Sequence, residues 1–216
     1  MLNTDTIRVL SRGFSFPDVL LALGPFAPGA TPELEGASEI EIEFEFELRG
    51  MFAEVTGTRG ADEIHFGPGP GTHAGLNLNP RDAGDQDVDV TVRGPGAYLI
   101  AGGAAGDDTI VPAPGAPFPN DGVVSSGGRG NDRLSAPRNS WGSLGGGAGD
   151  DVLTGGRQGD NLFGGPGRDK IFGGSGRDRV NSRDSNRDRV RCGVGRDRVK
   201  ADRQDRLRGC EMIRRR

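Results

Sequence analysis

The sequence predicts an all-β fold, a solenoid of short stacked strands with a small non-repetitive β segment at its N-terminal end. Three features point there. A nine-residue Gly/Asp period runs through the C-terminal half of the chain. Residues Glu39 to Leu48 alternate strictly between acidic and apolar. Glycine is also too abundant for an ordinary core, with 39 Gly and 14 Pro among 216 residues and 33% hydrophobic side chains. Such a composition belongs to a low-complexity chain unless a period organises it, and here one does.

Residues 1–53 form the segment without a repeat. Alternation puts Ile40, Ile42, Phe44, Phe46 and Leu48 on one face of a strand and the intervening glutamates on the other. The glutamate row reads as a solvated face whose charge discourages edge pairing. A flat carboxylate row without turn carbonyls makes a poor oxygen cage. Val19 to Ala27 is the one candidate export segment, and Gly24-Pro25 interrupts it.

Residues 54–126 hold degenerate units, at Gly57 to Ile64 and Gly103 to Ile110. Short strands are expected there at Val88 to Val92, Tyr98 to Ile100, Ile110 and Val123-Val124. Residues 127–181 are close to regular. Leu144, Leu153, Leu162, Ile171 and Val180 follow one another at nine-residue steps, and Asp151, Asp160, Asp169 and Asp178 keep the same step. Residues 182–216 lose the leading glycine pair but keep an aspartate followed by an aliphatic residue. Each unit offers one inward aliphatic side chain and buries almost nothing alone, so the units must stack. The glycines let the backbone take positive φ and approach its neighbour closely, which exposes carbonyl oxygens along the turn.

The units Gly146 to Leu153, Gly155 to Leu162, Gly164 to Ile171 and Gly173 to Val180 follow GGxGxDxUx, with U a large aliphatic residue. The pattern resembles the haemolysin-type calcium-binding repeat of the RTX family. That resemblance implies a right-handed parallel β-roll/β-helix solenoid in which two units make one coil, so that stacked neighbours lie 18 residues apart. It implies two columns of aspartates: Asp132, Asp151, Asp169, Asp188 and Asp205 in one, and Asp160, Asp178 and Asp197 in the other. The second column has Gly142 where an acid would extend it. Stacked carboxylates repel unless a cation lies between them, and Ca²⁺ accepts about 6–8 oxygens from carboxylates and carbonyls. The expected metal residues are Asp132, Gly146, Gly149, Asp151, Gly155, Asp160, Gly164, Gly167, Asp169, Gly173, Gly176 and Asp178. The gaps Asp151/Asp169 and Asp160/Asp178 are expected to bind best. Function is then expected to be binding of several calcium ions coupled to folding of a secreted or cell-surface roll. The alternatives are a calcium-stiffened adhesin or scaffold and, third, a polysaccharide-acting β-helix enzyme.

Beyond Val180 the glycines thin out and Arg flanks each Asp, so guanidinium groups are expected to replace calcium beside Asp188, Asp197 and Asp205. Cys192 and Cys210 stand one coil apart. A disulfide there suits an exported chain, and two buried thiols are the alternative.

Charge is uneven. Residues 1–155 carry 9 Lys/Arg against 22 Asp/Glu, and residues 156–216 carry 18 against 9. Because arginines alternate with aspartates at Arg177-Asp178-Arg179, Arg187-Asp188-Arg189 and Arg196-Asp197-Arg198, mutual salt bridging is expected rather than nucleic-acid binding. A protein or glycan partner stays open, with Phe163 and Phe172 placed where they are partly exposed. No enzymatic activity is expected. His65 and His73 lack zinc-peptidase spacing, no GxSxG is present, and Asp85, Asp87 and Asp89 lack the Gly and Glu of an EF-hand loop. No apolar run reaches the length of a membrane span.

Overall fold

The computed structural model describes residues 3–10, 19–22, 40–47, 52–57, 59–61, 63–68, 74–78, 90–93, 98–112 and 122–215. Asp62, His73, Asp85, Asp87, Asp89 and the end of the candidate export segment lie outside them. Among the described residues there is no helix, and the strands form two sheets. The larger sheet stacks Thr109–Pro112, Arg133–Ser135, Val152–Thr154, Lys170–Gly176, Arg189–Gly195 and Arg206–Arg208 in parallel. The smaller stacks Tyr98–Gly102, Gly122–Arg129, Trp141–Ala148, Asn161–Phe163, Arg179–Ser182, Arg198–Ala201 and Met212–Arg215, also in parallel. Consecutive strands alternate between the two sheets, which is the connectivity of a parallel β-roll.

The core is two files of inward residues. Ile64, Ile110, Leu134, Leu153, Ile171 and Val190 stack in the larger sheet. Leu144, Leu162, Val180 and Val199 stack in the smaller. All are 0–2% exposed. Each such side chain contributes about 1.5–3 kcal/mol on burial, but only against the coils above and below it. The spacing flexes around the expected 18 residues. Leu153 pairs with Ile171 18 residues on, Ile110 with Leu134 24 on, and Val199 with Ile213 14 on. The turns absorb the difference while the inward side chain keeps its partner.

Two features depart from expectation. Ile40–Glu47 does not lie at an edge: it pairs with Asn3–Leu10 on one side and Val90–Arg93 on the other. Its charge therefore guards no edge, and the N-terminal strands continue the same two sheets. The degenerate region also contains antiparallel pairs, Ala74–Leu78 lying between Glu63–Pro68 and Val90–Arg93. That stretch follows no nine-residue period, so nothing there imposes the coil path. The expected short strands are present at Val90–Arg93, Tyr98–Gly102, Thr109–Pro112 and Gly122–Arg129.

Candidate metal sites

Each glycine of the repeat has its own physical reason. At the first position, a Cβ on Gly146 or Gly164 would overlap Oδ2 of the aspartate five residues later, Asp151 or Asp169. Gly155 and Gly173 stand likewise 2.6 Å from Oδ2 of Asp160 and Asp178. The carboxylate folds back over its own turn, and only a bare Cα leaves room. At the fourth position Gly149 and Gly167 have φ of 142° and 153°, and Gly176 has 123°. Gly149 also sits on the carbonyl oxygen of Gly130, and Gly167 on that of Gly149. Backbone carbonyls thus form columns up the turn edge, spaced by one strand separation, about 4.8 Å.

The aspartates are buried, although they are the residues most costly to bury. Asp132, Asp151, Asp160, Asp169, Asp178, Asp188 and Asp197 are all 0–1% exposed. One oxygen of each is used in the same way. The N–H of Asp132 donates to Oδ1 of Asp151 at 2.8 Å, that of Asp151 to Asp169 at 3.0 Å, and that of Asp169 to Asp188 at 2.9 Å. In the second column Asp160 donates to Asp178 and Asp178 to Asp197, both at 2.9 Å. The carboxylates therefore form two ladders along the stack, in the two columns expected.

The other oxygen is left over. Oδ2 of Asp132, Asp151, Asp169, Asp178, Asp188 and Asp197 is buried with no hydrogen-bond partner. A buried polar atom without a partner costs about 1–3 kcal/mol, and more when charged. Burial accordingly pushes the carboxyls of Asp151, Asp178 and Asp188 up from 3.8 to about 7. The backbone N–H bond opposes the rise, and neighbouring carboxylates add to it. Asp169 rises to about 6 and Asp132 is raised as well, again chiefly through burial. Among the described residues no three Asp, Glu, His or Cys side chains converge as a metal cluster. A cation here would draw on one or two carboxylates plus turn carbonyls. That is a hard, all-oxygen donor set suited to calcium's flexible shell.

Asp160 differs. Its Oδ1 accepts from Gly142 N at 2.6 Å and its Oδ2 from Gly156 N at 2.7 Å, so both oxygens are satisfied. Its turn reads Gly155-Gly156-Arg157-Gln158-Gly159-Asp160, with Gln158 in place of the fourth-position glycine. Its carboxyl still rises to about 6, through burial against the pull of those two N–H groups.

The ladders extend past the residues expected. The N–H of Asp108 donates to Asp132, and that of Asp197 to Oε2 of Glu211 at 2.9 Å. Asp108 carries the repeat's own GDD signature, whereas Glu211 stands 14 residues beyond Asp197 and outside any period. At the C-terminal end the arginines do not do what was expected of them. Arg187, Arg189, Arg196, Arg198 and Arg206 are exposed while Asp188, Asp197 and Asp205 are buried. Oδ2 of Asp188 and Asp197 has no partner, and Asp205 is satisfied by Asp202 N and Ser182 Oγ. Alternation places neighbours on opposite faces, so a guanidinium beside a buried aspartate points away from it. Neither replacement of calcium by arginine nor mutual Arg–Asp bridging occurs.

Cys192 and Cys210 form a disulfide, with Cα atoms 5.2 Å apart. Arg191 pairs with Arg208, so Cys210 stands one residue beyond the position opposite Cys192. Gly209, at φ 59°, turns it back. The bridge ties the last coil to the one before it.

Stacked parallel coils, glycine turns and buried carboxylate ladders together define a calcium-binding β-roll. Residues 145–181 match the RTX calcium-binding nonapeptide repeat, in four copies. No curated protein and no solved structure matches the chain. The match covers the regular coils and leaves the antiparallel region and the Arg-rich end outside it.

Proposed function

We propose that the chain binds several calcium ions in the gaps between successive turns, and that this binding folds a secreted or cell-surface roll. The observation that carries the reading is the row of buried, unpartnered Oδ2 atoms on Asp132, Asp151, Asp169 and Asp178. Bound calcium would supply positive charge and open coordination positions to these oxygens. Gly146, Gly149, Gly164, Gly167, Gly173 and Gly176 keep the turns open, and their backbone places carbonyls beside the carboxylates. Asp151/Asp169 is the best gap, with an unpartnered oxygen on each side. Asp160/Asp178 is weaker, because Asp160 and Gly155 belong to a turn already closed by N–H donors.

Without the ion, ionised carboxylates would be held in a dry stack of glycine-rich turns, and the unfolded chain is favoured. With it, binding energy becomes folding energy. The disulfide supports an oxidising compartment. The test is far-UV circular dichroism of the chelated chain during a calcium titration, with magnesium as control. Sheet signal that grows with calcium at concentrations where magnesium has little effect is expected. A full sheet signal in chelator, unchanged by calcium, would reject the reading.

A further inference from the structure

The outward arginines of the C-terminal coils are left without partners inside the chain, and they are not scattered. Arg177 and Arg196 stand on the turn that leads into the smaller sheet. Arg179 and Arg198 are stacked neighbours on its outer face. Together these four line one concavity with Met212. A second concavity shares Arg177 and Arg196 and runs back along the turn to Arg157. A third shares Arg179, Arg198 and Met212 and runs across the sheet to Lys200 and Arg214. The three join into one trough, and the arginines along it are exposed. Among the described residues these cations make no ion pair. Asp178 and Asp197, adjacent in sequence, are 1% and 0% exposed and face inward. Glu211 is the nearest exposed acid, and its Oε2 is held by the N–H of Asp197. The trough also contains Phe163, 48% exposed, beside Met212 and Ile213 at 37% and 44%.

We infer that this trough binds a strand of acidic polysaccharide, with the guanidinium groups on its carboxylate or sulfate groups and Phe163 against the apolar face of a sugar ring. Charge complementarity selects an anion. Arginine's planar fork suits carboxylate and sulfate oxygens. The linear run of cations, repeated at the strand spacing of about 4.8 Å, selects a polymer over a small ion. Two features favour a glycan over nucleic acid. Single strands are held by aromatic platforms under successive bases, and the trough offers one exposed ring. The disulfide supports an oxidising compartment, where acidic glycans are the abundant polyanions. The inference needs a folded roll but no particular number of ions, so binding is measured at saturating calcium with sheet signal and calcium uptake recorded on the same sample. A failure of glycan binding is then distinct from a failure of calcium binding.

The probe is dextran sulfate, with neutral dextran, an oligothymidylate and phosphatidylserine vesicles alongside. The full chain should bind dextran sulfate and not dextran, with affinity falling as salt rises. The double variant Arg179→Glu, Arg198→Glu should bind about tenfold or more weakly, while Arg133→Glu on the opposite sheet should bind as the parent does. Should the double variant fold poorly, phenylglyoxal labelling of the parent decides the matter: bound dextran sulfate should protect Arg179 and Arg198 but not Arg133. Undiminished binding by a folded double variant, equal labelling of all three arginines, or tighter binding of oligothymidylate or vesicles than of dextran sulfate would overturn the inference.

Discussion

Replacing Asp151 by Asn should have opposite effects on the roll with and without calcium. Asp151 is 0% exposed, its Oδ1 accepts the N–H of Asp132 at 2.8 Å, and its Oδ2 has no partner. An amide keeps the first bond through its own oxygen and removes the charge. Raising a carboxyl from 3.8 to about 7 corresponds to about 4 kcal/mol of cost to the folded, ionised form. The roll is only two sheets thick, so solvent screening removes about half of that. The new N–H group, unpartnered where Oδ2 stood, takes back about 1 kcal/mol. The chelated roll should therefore gain about 1 kcal/mol at pH 7.5. With calcium the sign reverses, because a ligand of two adjacent gaps is lost and the calcium midpoint should rise about tenfold or more. Urea unfolding followed by circular dichroism, in chelator and in calcium, reads both effects. Trimethylamine oxide in every sample brings the chelated chain onto the scale by strengthening burial. A variant destabilised equally in both conditions would mean that Asp151 is only a turn-capping residue.

Gly149→Ala should cost about 3 kcal/mol or more in calcium, since the residue has φ 142° and stacks on the Gly130 carbonyl. Gly145→Ala should be nearly neutral, because a Cβ there meets nothing closer than Ser125 O at 4.0 Å; thermal melts compare the two, and equal losses would contradict the stacking. Reducing the disulfide, which closes a separation of 18 residues, should destabilise the end of the roll by about 3 kcal/mol. Hydrogen exchange should then quicken at Met212–Arg215 before it does at Trp141–Ala148. Acidification should partly replace calcium. Asp160 and Asp169 titrate near 6 and Asp151, Asp178 and Asp188 near 7 in the folded chain, against 3.8 for an unperturbed carboxyl. Between about pH 4 and 7 the folded state holds protons the unfolded chain has released, so this stability is complete below about pH 4 and is lost as pH rises through 6 to 7. The chelated chain should gain sheet signal on going from pH 7.5 to 5.

Much of this was legible because the repeat is strict where packing is strict. Leu144, Leu162 and Val180 must meet one another, so their spacing survives in the sequence, as does that of Asp151, Asp169 and Asp178. The disulfide followed from the coil length. What escaped lies where the coil length changes. Glu211 ends a ladder after a 14-residue coil, so no period marks it. The satisfied state of Asp160 turns on one residue, Gln158 in place of glycine. The orientation of the arginines was readable in principle. An Arg-Asp-Arg triplet with a buried centre must send both arginines outward, yet the triplets look like ion pairs when read as a line. The antiparallel strands between Glu63 and Arg93 carry no repeat at all.

The most direct measurement is an anomalous difference map from crystals of the full chain grown in calcium. Peaks within about 2.3–2.6 Å of Oδ2 of Asp151 and Asp169, surrounded by turn carbonyls, are expected. Turns with those oxygens still facing no ion at saturating calcium would contradict the assignment.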